Sequence, residues 1–214
     1  MNMKKCTLHG HAHLFSYQSL QLMELLRHHD PSSFHHSVQS TSYFIDFCLH
    51  YNLHSLLKPV ILQSVLLHDI GMLLVPKEIL QQNRPLTLSE KRDLEQHPEL
   101  GIEILSDYPE IDFEHSLLLH HHENSDGSGY PDHMLKEQLP FAVNLLRVID
   151  SYTAMTMDRP YRLKRSYQDA IHELKKHRNL YDPRCTFLFV AYMEKRLKGE
   201  NILLHYFDYV PHQK

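Results

Sequence analysis

The sequence has few cysteines, no apolar run long enough to span a membrane and no excess of positive charge. The three cysteines, Cys6, Cys48 and Cys185, are odd in number and far apart, which excludes a disulfide framework and indicates a reducing compartment. After Lys4 and Lys5 the N-terminus is polar and rich in histidine, so we expect no signal peptide and a cytoplasmic protein. The formal net charge of -4 gives no overall attraction to nucleic acid or to an anionic membrane, and we expect neither as a partner.

Strand-like patterns are also scarce, because only the tail at 201–210 resembles the alternation of a half-buried strand, and there is no internal repeat. Apolar residues instead recur at helical spacing, as they do at 17–29, from 31 to about 51 and at 141–155. The predicted helix-start signals are Asp30-Pro31, the pair Thr87 and Glu90, Ser166 with Asp169, and Asp182-Pro183. We also expect one helix to start near Pro109 and the last helix to end at Gly199. The sequence therefore predicts an all-α bundle, with 214 residues and 42% hydrophobic residues to form its core.

One run of the sequence places a histidine and an aspartate together inside the predicted core. Residues 60–71 read as a buried helix that Gly71 closes with a left-handed cap, and His68 and Asp69 finish that helix. Burying an imidazole beside a carboxylate is costly unless a partner compensates, and a divalent metal does so by taking both as ligands. The alternative is a His and an Asp that only bond to each other.

Polar side chains fall at inner positions of several other helices, in a chain with 20 histidines. Periodicity does not choose between His35 and His36 at the start of the second helix. Helical bundles hold metals with side chains that project inward from facing helices, and seven His and Asp ligands suit two ions that share a bridging carboxylate. The candidate metal ligands are His36, His68, Asp69, His97, His121, His122 and Asp150.

Several motifs, in this order along the chain, resemble those of the HD-GYP family. They are HS at 36–37, LHDIG at 67–71, HPELG at 97–101, HHE at 121–123 with DGSGYP at 126–131, DRPYR at 158–162 and YDP at 181–183. The resemblance covers about residues 25 to 195. It implies an HD-domain helical bundle with an HD-GYP C-terminal extension over 21–199, preceded by a poorly defined segment at 1–20 and followed by a tail at 200–214.

The resemblance also implies an activity, namely hydrolysis of cyclic di-GMP to pGpG, GMP or both by a metal-activated hydroxide at a binuclear centre. The two divalent ions would be iron or manganese. The implied first-site ligands are His36, His68, Asp69 and Asp150, and those of the second site are Asp69 as the bridge with His97, His121 and His122.

The same resemblance assigns substrate contacts. Arg159 and Arg162 would hold phosphate oxygens, and with Asp69 they are the expected catalytic residues. The loop with Gly127, Gly129 and Pro131 would shape the entrance and bring its backbone close to the ligand. For Tyr130, stacking on guanine and a purely structural role in the loop are both open.

Three positions depart from the family pattern. Met72 stands where the family usually has a lysine that contacts substrate phosphate, Thr153 replaces an aspartate, and Ser32 replaces a glutamate of members with three ions. Because Met72 and Thr153 lie at implied substrate positions, two alternatives stay open. One is a weak or inactive cyclic di-GMP receptor or scaffold that keeps its metal site and binds diguanylate cyclases or other signalling proteins. The other is an HD phosphohydrolase for another nucleotide, for instance a different cyclic dinucleotide.

Overall fold

Polar N-caps and prolines set most helix starts among the described residues. The computed structural model describes residues 14–158 and 164–198. The α-helices of these residues are α1 (Tyr17–His29), α2 (Pro31–His50), α3 (Pro59–Leu66), α4 (Lys77–Leu80), α5 (Leu88–Glu95), α6 (His97–Ser106), α7 (His115–Leu119), α8 (Phe141–Thr156), α9 (Tyr167–Lys176) and α10 (Pro183–Leu197). Short 3-10 helices cover His54–Leu56, Ile70–Leu74 and Lys136–Gln138.

The four predicted helix-start signals are confirmed. The Asp30 carboxylate accepts from the Ser33 amide at 3.0 Å at the start of α2. Thr87 and Glu90 form a reciprocal capping box on α5, with the Thr87 amide 2.8 Å from the Glu90 carboxylate. Ser166 caps α9 and Asp182 caps α10 through their side-chain oxygens. Each of these contacts spans three residues, so it depends on local sequence alone.

The predicted end of the third helix is wrong, because α3 stops at Leu66 and His68 and Asp69 occupy the turn before the 3-10 helix at Ile70–Leu74. Gly71 does not adopt the left-handed conformation that the prediction required. It lies instead against the start of α6, where a Cβ would sit 1.9 Å from the carbonyl oxygen of His97. The glycine is thus needed for a close approach of two segments and not for a helix cap.

The helix expected from near Pro109 is also shorter than predicted, since α7 begins only at His115. Polar side chains of α3 bind the backbone of the segment that precedes α7. The Ser64 hydroxyl accepts from the Glu114 amide at 2.7 Å, and Gln63 Nε2 donates to the Asp112 carbonyl at 3.1 Å. These bonds hold the segment extended on α3, so its backbone groups are unavailable to a helix. Gly199, the predicted end of the last helix, and the tail at 201–210 lie outside the described residues.

Helices α2 and α8 lie at the centre of the bundle. Helix α2 packs against α1, α3 and α8, and α8 packs also against α7, α9 and α10. Aromatic rings lock this arrangement, with Tyr43 of α2 edge-on to Tyr152 of α8 at 5.6 Å and Tyr152 edge-on to Phe189 of α10 at 5.2 Å. These rings are buried and fix the mutual position of the two helices that carry an inner histidine and an inner aspartate.

The all-helical prediction is confirmed for the described residues, where an isolated bridge between Asp126 and Leu135 is the only β-type pairing. Cys48 and Cys185 are buried and unpaired with each other. Within the same residues, no helix is both long enough and apolar enough to cross a membrane.

Candidate metal centre and adjoining cavity

Three of the candidate ligands, His68, His97 and His121, are oriented by the same local contact. Each stands two residues beyond the end of a helix, after α3, α5 and α7 respectively. In each, Nδ1 lies 2.7 to 2.8 Å from the carbonyl oxygen three residues earlier. A carbonyl oxygen only accepts, so Nδ1 carries a proton in each ring, and in the neutral ring Nε2 presents its lone pair. This is the arrangement in which a metal-binding histidine is held by a backbone partner.

The carboxylate of Asp69 lies between two groups of histidines. Its Oδ2 is 3.6 Å from His68 Nε2 and 3.8 Å from His36 Nε2. Its Oδ1 is 3.3 Å from His97 Nε2 and 3.6 Å from His121 Nε2. Each oxygen therefore faces its own group of nitrogen ligands, as a bridging carboxylate does.

Asp150 comes to the first group from the middle of α8. Its Oδ1 accepts from His36 Nε2 at 2.7 Å, and its Oδ2 is 3.8 Å from Nδ1 of His122. The structure thus selects His36, which is buried, over its neighbour. His35 is only half-buried, and its ring lies edge-on to Phe34.

The protonation states of the metal-free cluster favour binding of a cation. Burial would raise the pKa of Asp69, yet the charge of His68 and the contacts with the other histidines hold it well below its ordinary value. Asp150 behaves in the same way, with His36 as the main group that lowers its pKa against the effect of burial. Burial lowers the pKa of His121 to about 4, so this imidazole is neutral at physiological pH and can act as a ligand.

Two features show that the donor set fits metal ions. His97 Nε2 and His121 Nε2 are 3.1 Å apart. In the neutral rings the proton is on Nδ1, so neither of these two nitrogens has an N–H to donate to the other. Two ligands that each lie about 2.1 Å from one ion at a right angle would be about 3 Å apart. In addition, His68 Nε2 is buried without a hydrogen-bond partner in the described residues. The ligand atoms form two groups, each within 4.8 Å: Asp69, His97, His121 and His122, and His36, His68 and Asp69.

A cavity of about 360 Å³ opens beside this cluster. Its described lining residues are His36, Asp69, Met72, Leu94, His97, His122, Tyr130, Arg147, Asp150, Ser151, Ala154, Met155 and Tyr181. The volume falls in the range of small-molecule sites, roughly 300–1,000 Å³. The lining thus combines carboxylates, imidazoles and a single arginine with several apolar and aromatic side chains.

The loop after α7 forms one side of the cavity and is anchored by Glu123. This buried carboxylate accepts from the amides of Asp132 at 2.7 Å and of Met134 at 3.1 Å. A Cβ at Gly129 would lie 2.3 Å from the amide nitrogen of Asn124, so only glycine allows the loop to fold back on itself.

The predicted substrate residues divide into three sets. Met72 and Tyr130 line the cavity, and the Tyr130 ring also stacks on His122 with centroids 4.9 Å apart, so it supports the loop as well. Those that do not line the cavity are Gly127, Gly129, Pro131 and Thr153. Arg159 and Arg162 lie outside the described residues, and so does any contact they make.

The structure gives the loop glycines local roles, whereas the predicted substrate contact of Thr153 needs correction. The close backbone approach at Gly129 is to the chain itself, and Gly127 has a φ of 76° that serves the turn, while the predicted role of both at the entrance stays a prediction. Thr153 is fully buried. Because successive helical residues are about 100° apart, the stripe of α8 that includes Asp150, Ser151 and Ala154 turns Thr153 away from the cavity.

Sequence reasoning missed Arg147, which lines the cavity and donates through Nε and Nη2 to Asn124 Oδ1 at 3.1 and 2.8 Å. The sequence did contain a signal for Arg147. A charged residue inside the most apolar helix is unusual, and the same observation led to the prediction of Asp150 as a ligand.

Comparisons with known proteins identify a family and several relatives. The HD domain family matches residues 21–185. The chain is 35% identical over 122 residues to the cyclic di-GMP phosphodiesterase response regulator RpfG of Xanthomonas campestris, covering 56% of this chain and 32% of that protein. It is 36% identical over 126 residues to the cyclic di-GMP phosphodiesterase PA4108 of Pseudomonas aeruginosa, covering 58% of this chain and 30% of that protein. The chain thus spans about a third of the length of these curated relatives.

The fold also matches a solved structure, the HD domain of the phosphodiesterase PgpH of L. monocytogenes. The TM-score is 0.60 at 18% identity, covering 83% of this chain and 97% of that one. The domain limits and the HD-GYP C-terminal extension stay predictions. The family match and the named relatives confirm the predicted resemblance to HD-GYP proteins, and the chain belongs to the HD domain family.

Proposed function

We propose that this protein is a metal-dependent phosphodiesterase that hydrolyses cyclic di-GMP to pGpG, GMP or both. The observation that carries the proposal is the Asp69 carboxylate, which lies between two groups of histidines at the wall of the cavity. The names of the relatives, which share about a third of their residues with this chain over the matched region, support the substrate.

Two ions, iron or manganese, are the proposed cofactors. Imidazole and carboxylate donors suit such divalent metals. The first would be held by His36, His68, Asp69 and Asp150, and the second by Asp69, His97, His121 and His122. A third ion is not proposed, because Ser32 offers only a neutral hydroxyl where a further dication would need an anionic ligand. When bound, the pair of ions would polarise a phosphoryl oxygen and make a water molecule nucleophilic at neutral pH.

The protein's own residues would orient the substrate and keep the ligands in place. The Nδ1 contacts of His68, His97 and His121 fix three imidazole rings before any metal binds, so little reorganisation is needed. Tyr130 and Leu94 supply apolar surface beside the cluster, where a nucleobase could pack. Arg159 and Arg162 remain proposed contacts to phosphate oxygens, with the role that the resemblance implies.

One observation favours a second function, a cyclic di-GMP receptor with an intact metal site. The side chain of Met72 occupies the cavity wall, and a thioether cannot hold a phosphate by charge. A receptor of this kind would bind the ligand and metals with no turnover.

The test is anaerobic purification with metal analysis, followed by turnover of cyclic di-GMP with pGpG and GMP resolved. We expect about two ions per chain and a hydrolysed product, with cyclic di-AMP and cyclic GMP-AMP as comparison substrates. Binding of cyclic di-GMP without hydrolysis at full metal content would support the receptor instead. Turnover of another cyclic dinucleotide alone would move the proposal to that substrate.

A pair of variants tests the bridging role of Asp69. Asp69→Ala should abolish metal binding at both sites together with hydrolysis, whereas His97→Ala should empty mainly the second site. Metal analysis of the two purified variants decides this. Full metal content in Asp69→Ala would show that the carboxylate does not bridge.

A further inference from the structure

Arg147 is the only arginine or lysine among the described residues that line the cavity. It lies on α8 one turn before Asp150, and its side chain is 15% exposed. Taking a guanidinium group out of water is costly unless its charge and its N–H groups are satisfied. Its place in the wall of the cavity therefore requires a partner, either in the protein or in a ligand.

The described residues satisfy only part of this guanidinium. Nε and Nη2 share Asn124 Oδ1 as acceptor, Nη1 donates to the hydroxyl of Ser151, and the ring of Tyr181 lies 5.3 Å from Cζ. Within the described residues these bonds use three of the five N–H groups of an arginine. They also hold the group in place beside the cavity. A ligand that accepts from the remaining donors on Nη1 and Nη2 would therefore cost little further side-chain freedom.

With two metal ions bound, the positive charge of Arg147 would no longer be balanced by the nearby carboxylates. Its Nη1 lies 3.7 Å from Asp150 Oδ2, which is too long for a hydrogen bond but close enough for attraction. Two dications would exceed the charge of Asp69 and Asp150, which would leave Arg147 facing a positive centre. Like charges at such distances repel unless an anion lies between them.

We propose that Arg147 is a substrate-binding residue that donates to a non-bridging oxygen of the phosphodiester in the cavity. This inference rests on the proposed function. A phosphodiester is the anion that would be attracted both by the loaded centre and by the guanidinium, and the paired donors of arginine suit phosphate oxygens.

The experiment compares Arg147→Met, Arg147→Lys and Asn124→Ala with the unaltered protein, and uses Arg92→Met on the exposed face of α5 as a control. We expect Arg147→Met to raise KM for cyclic di-GMP, and the inhibition constant of inorganic phosphate, by roughly tenfold to a hundredfold at unchanged metal content. Arg147→Lys should recover part of this loss, since it keeps the charge but not the fork. Arg92→Met should match the unaltered protein in all three measurements.

Asn124→Ala separates substrate binding from support of the loop, because it removes an acceptor of Arg147 and keeps the charge. If it reproduced Arg147→Met in KM and in phosphate inhibition, Arg147 would act only by holding the loop, and the inference would be wrong. An unchanged KM in Arg147→Met would overturn it as well. Should that variant fold poorly, Arg147→Gln, which keeps a donor for Asn124, takes its place.

The outcome for the proposed function is distinguishable. If the unaltered protein hydrolyses no cyclic dinucleotide, that function fails, and calorimetric binding of inorganic phosphate to the metal-loaded protein then tests Arg147 by itself. Weaker phosphate binding in Arg147→Met would support the inference, and equal binding would refute it.

Discussion

Gly71 offers a direct test of how the fold builds the site, because it stands where the 3-10 helix after Asp69 meets the start of α6. A Cβ added at Gly71 would lie 1.9 Å from the carbonyl oxygen of His97 and 2.6 Å from the amide nitrogen of Gly101. Real Cβ atoms essentially never come closer than 3.0 Å to such atoms. Gly71→Ala must therefore push the two segments apart by about 1 Å.

The displacement acts on the two elements that carry Asp69 and His97, whose Oδ1 and Nε2 atoms are 3.3 Å apart. Overpacking of a tight contact costs about 1–3 kcal/mol. For a protein of this size that lowers Tm by about 2–12 °C, at roughly 2–4 °C per kcal/mol. A misplacement of about 1 Å at a catalytic group can reduce the rate about a hundredfold. We expect both effects, together with a loss of metal from the second site.

Gly101→Ala is the matched control, since this glycine is buried in the same contact. Its Cβ would meet nothing closer than 3.5 Å, which is ordinary van der Waals distance. Within α6, alanine should be favoured over glycine by about 0.5–1 kcal/mol. Thermal unfolding, metal analysis and turnover of cyclic di-GMP are measured for both variants. Equal behaviour of Gly71→Ala and the unaltered protein, or equal damage in the two variants, would refute this account of the contact.

Two further predictions concern pH and Met72. Burial lowers the pKa of His68, but Asp69 and Asp150 outweigh it and raise the pKa to about 9, so a metal must displace a proton at neutral pH. Titration of the metal-free protein with Mn²⁺ should show affinity rising about tenfold per pH unit between about pH 7 and 8.5, and a flat profile would contradict the assignment. The same proton on His68 stabilises the metal-free fold fully below pH 6.5, and this stabilisation is lost as pH rises through about 9. The Tm of the metal-free protein should therefore fall between these two pH values. Met72→Lys adds a cation at the cavity and should raise kcat/KM by roughly ten- to a hundredfold with unchanged metal content. Steady-state kinetics decides this, and an unchanged efficiency would favour the receptor.

The parts of the structure that sequence could predict are those decided within a few residues. Asp30, Thr87, Ser166 and Asp182 cap their helices through bonds to amides three residues later, so the residue types sufficed. The end of α3 was predicted wrongly because Gly71 is required by its close contact with the His97 carbonyl, which lies 26 residues away in the chain. No local pattern distinguishes a glycine that caps a helix from one that admits a neighbouring segment.

The identities of the inner polar residues were likewise predictable, whereas the rotation of each helix was not. A buried His or Asp in an apolar helix is unusual whatever surrounds it. The choice of His36 over His35, however, depends on the angle at which α2 faces α8. In the same way, the rotation of α8 about its own axis places Arg147 at the cavity and Thr153 in the core. One residue of helix rotation is about 100°, so these outcomes need the packed neighbours.

The helix ends add negative potential to the candidate metal site beyond that of its carboxylates. His68, His97 and His121 all bond through Nδ1 to the carbonyl of the last residue but one of the preceding helix. Carbonyls in the last turn have no partner within the helix, so they are free to accept from a side chain. The C-termini of α3, α5 and α7 consequently point toward one cluster, each with a partial negative charge from its backbone. Each helix end thus fixes an imidazole and adds negative potential at the same place. His36 and His122 lack this contact, so their orientation depends on neighbouring side chains, namely Asp150 for His36 and the Tyr130 ring for His122.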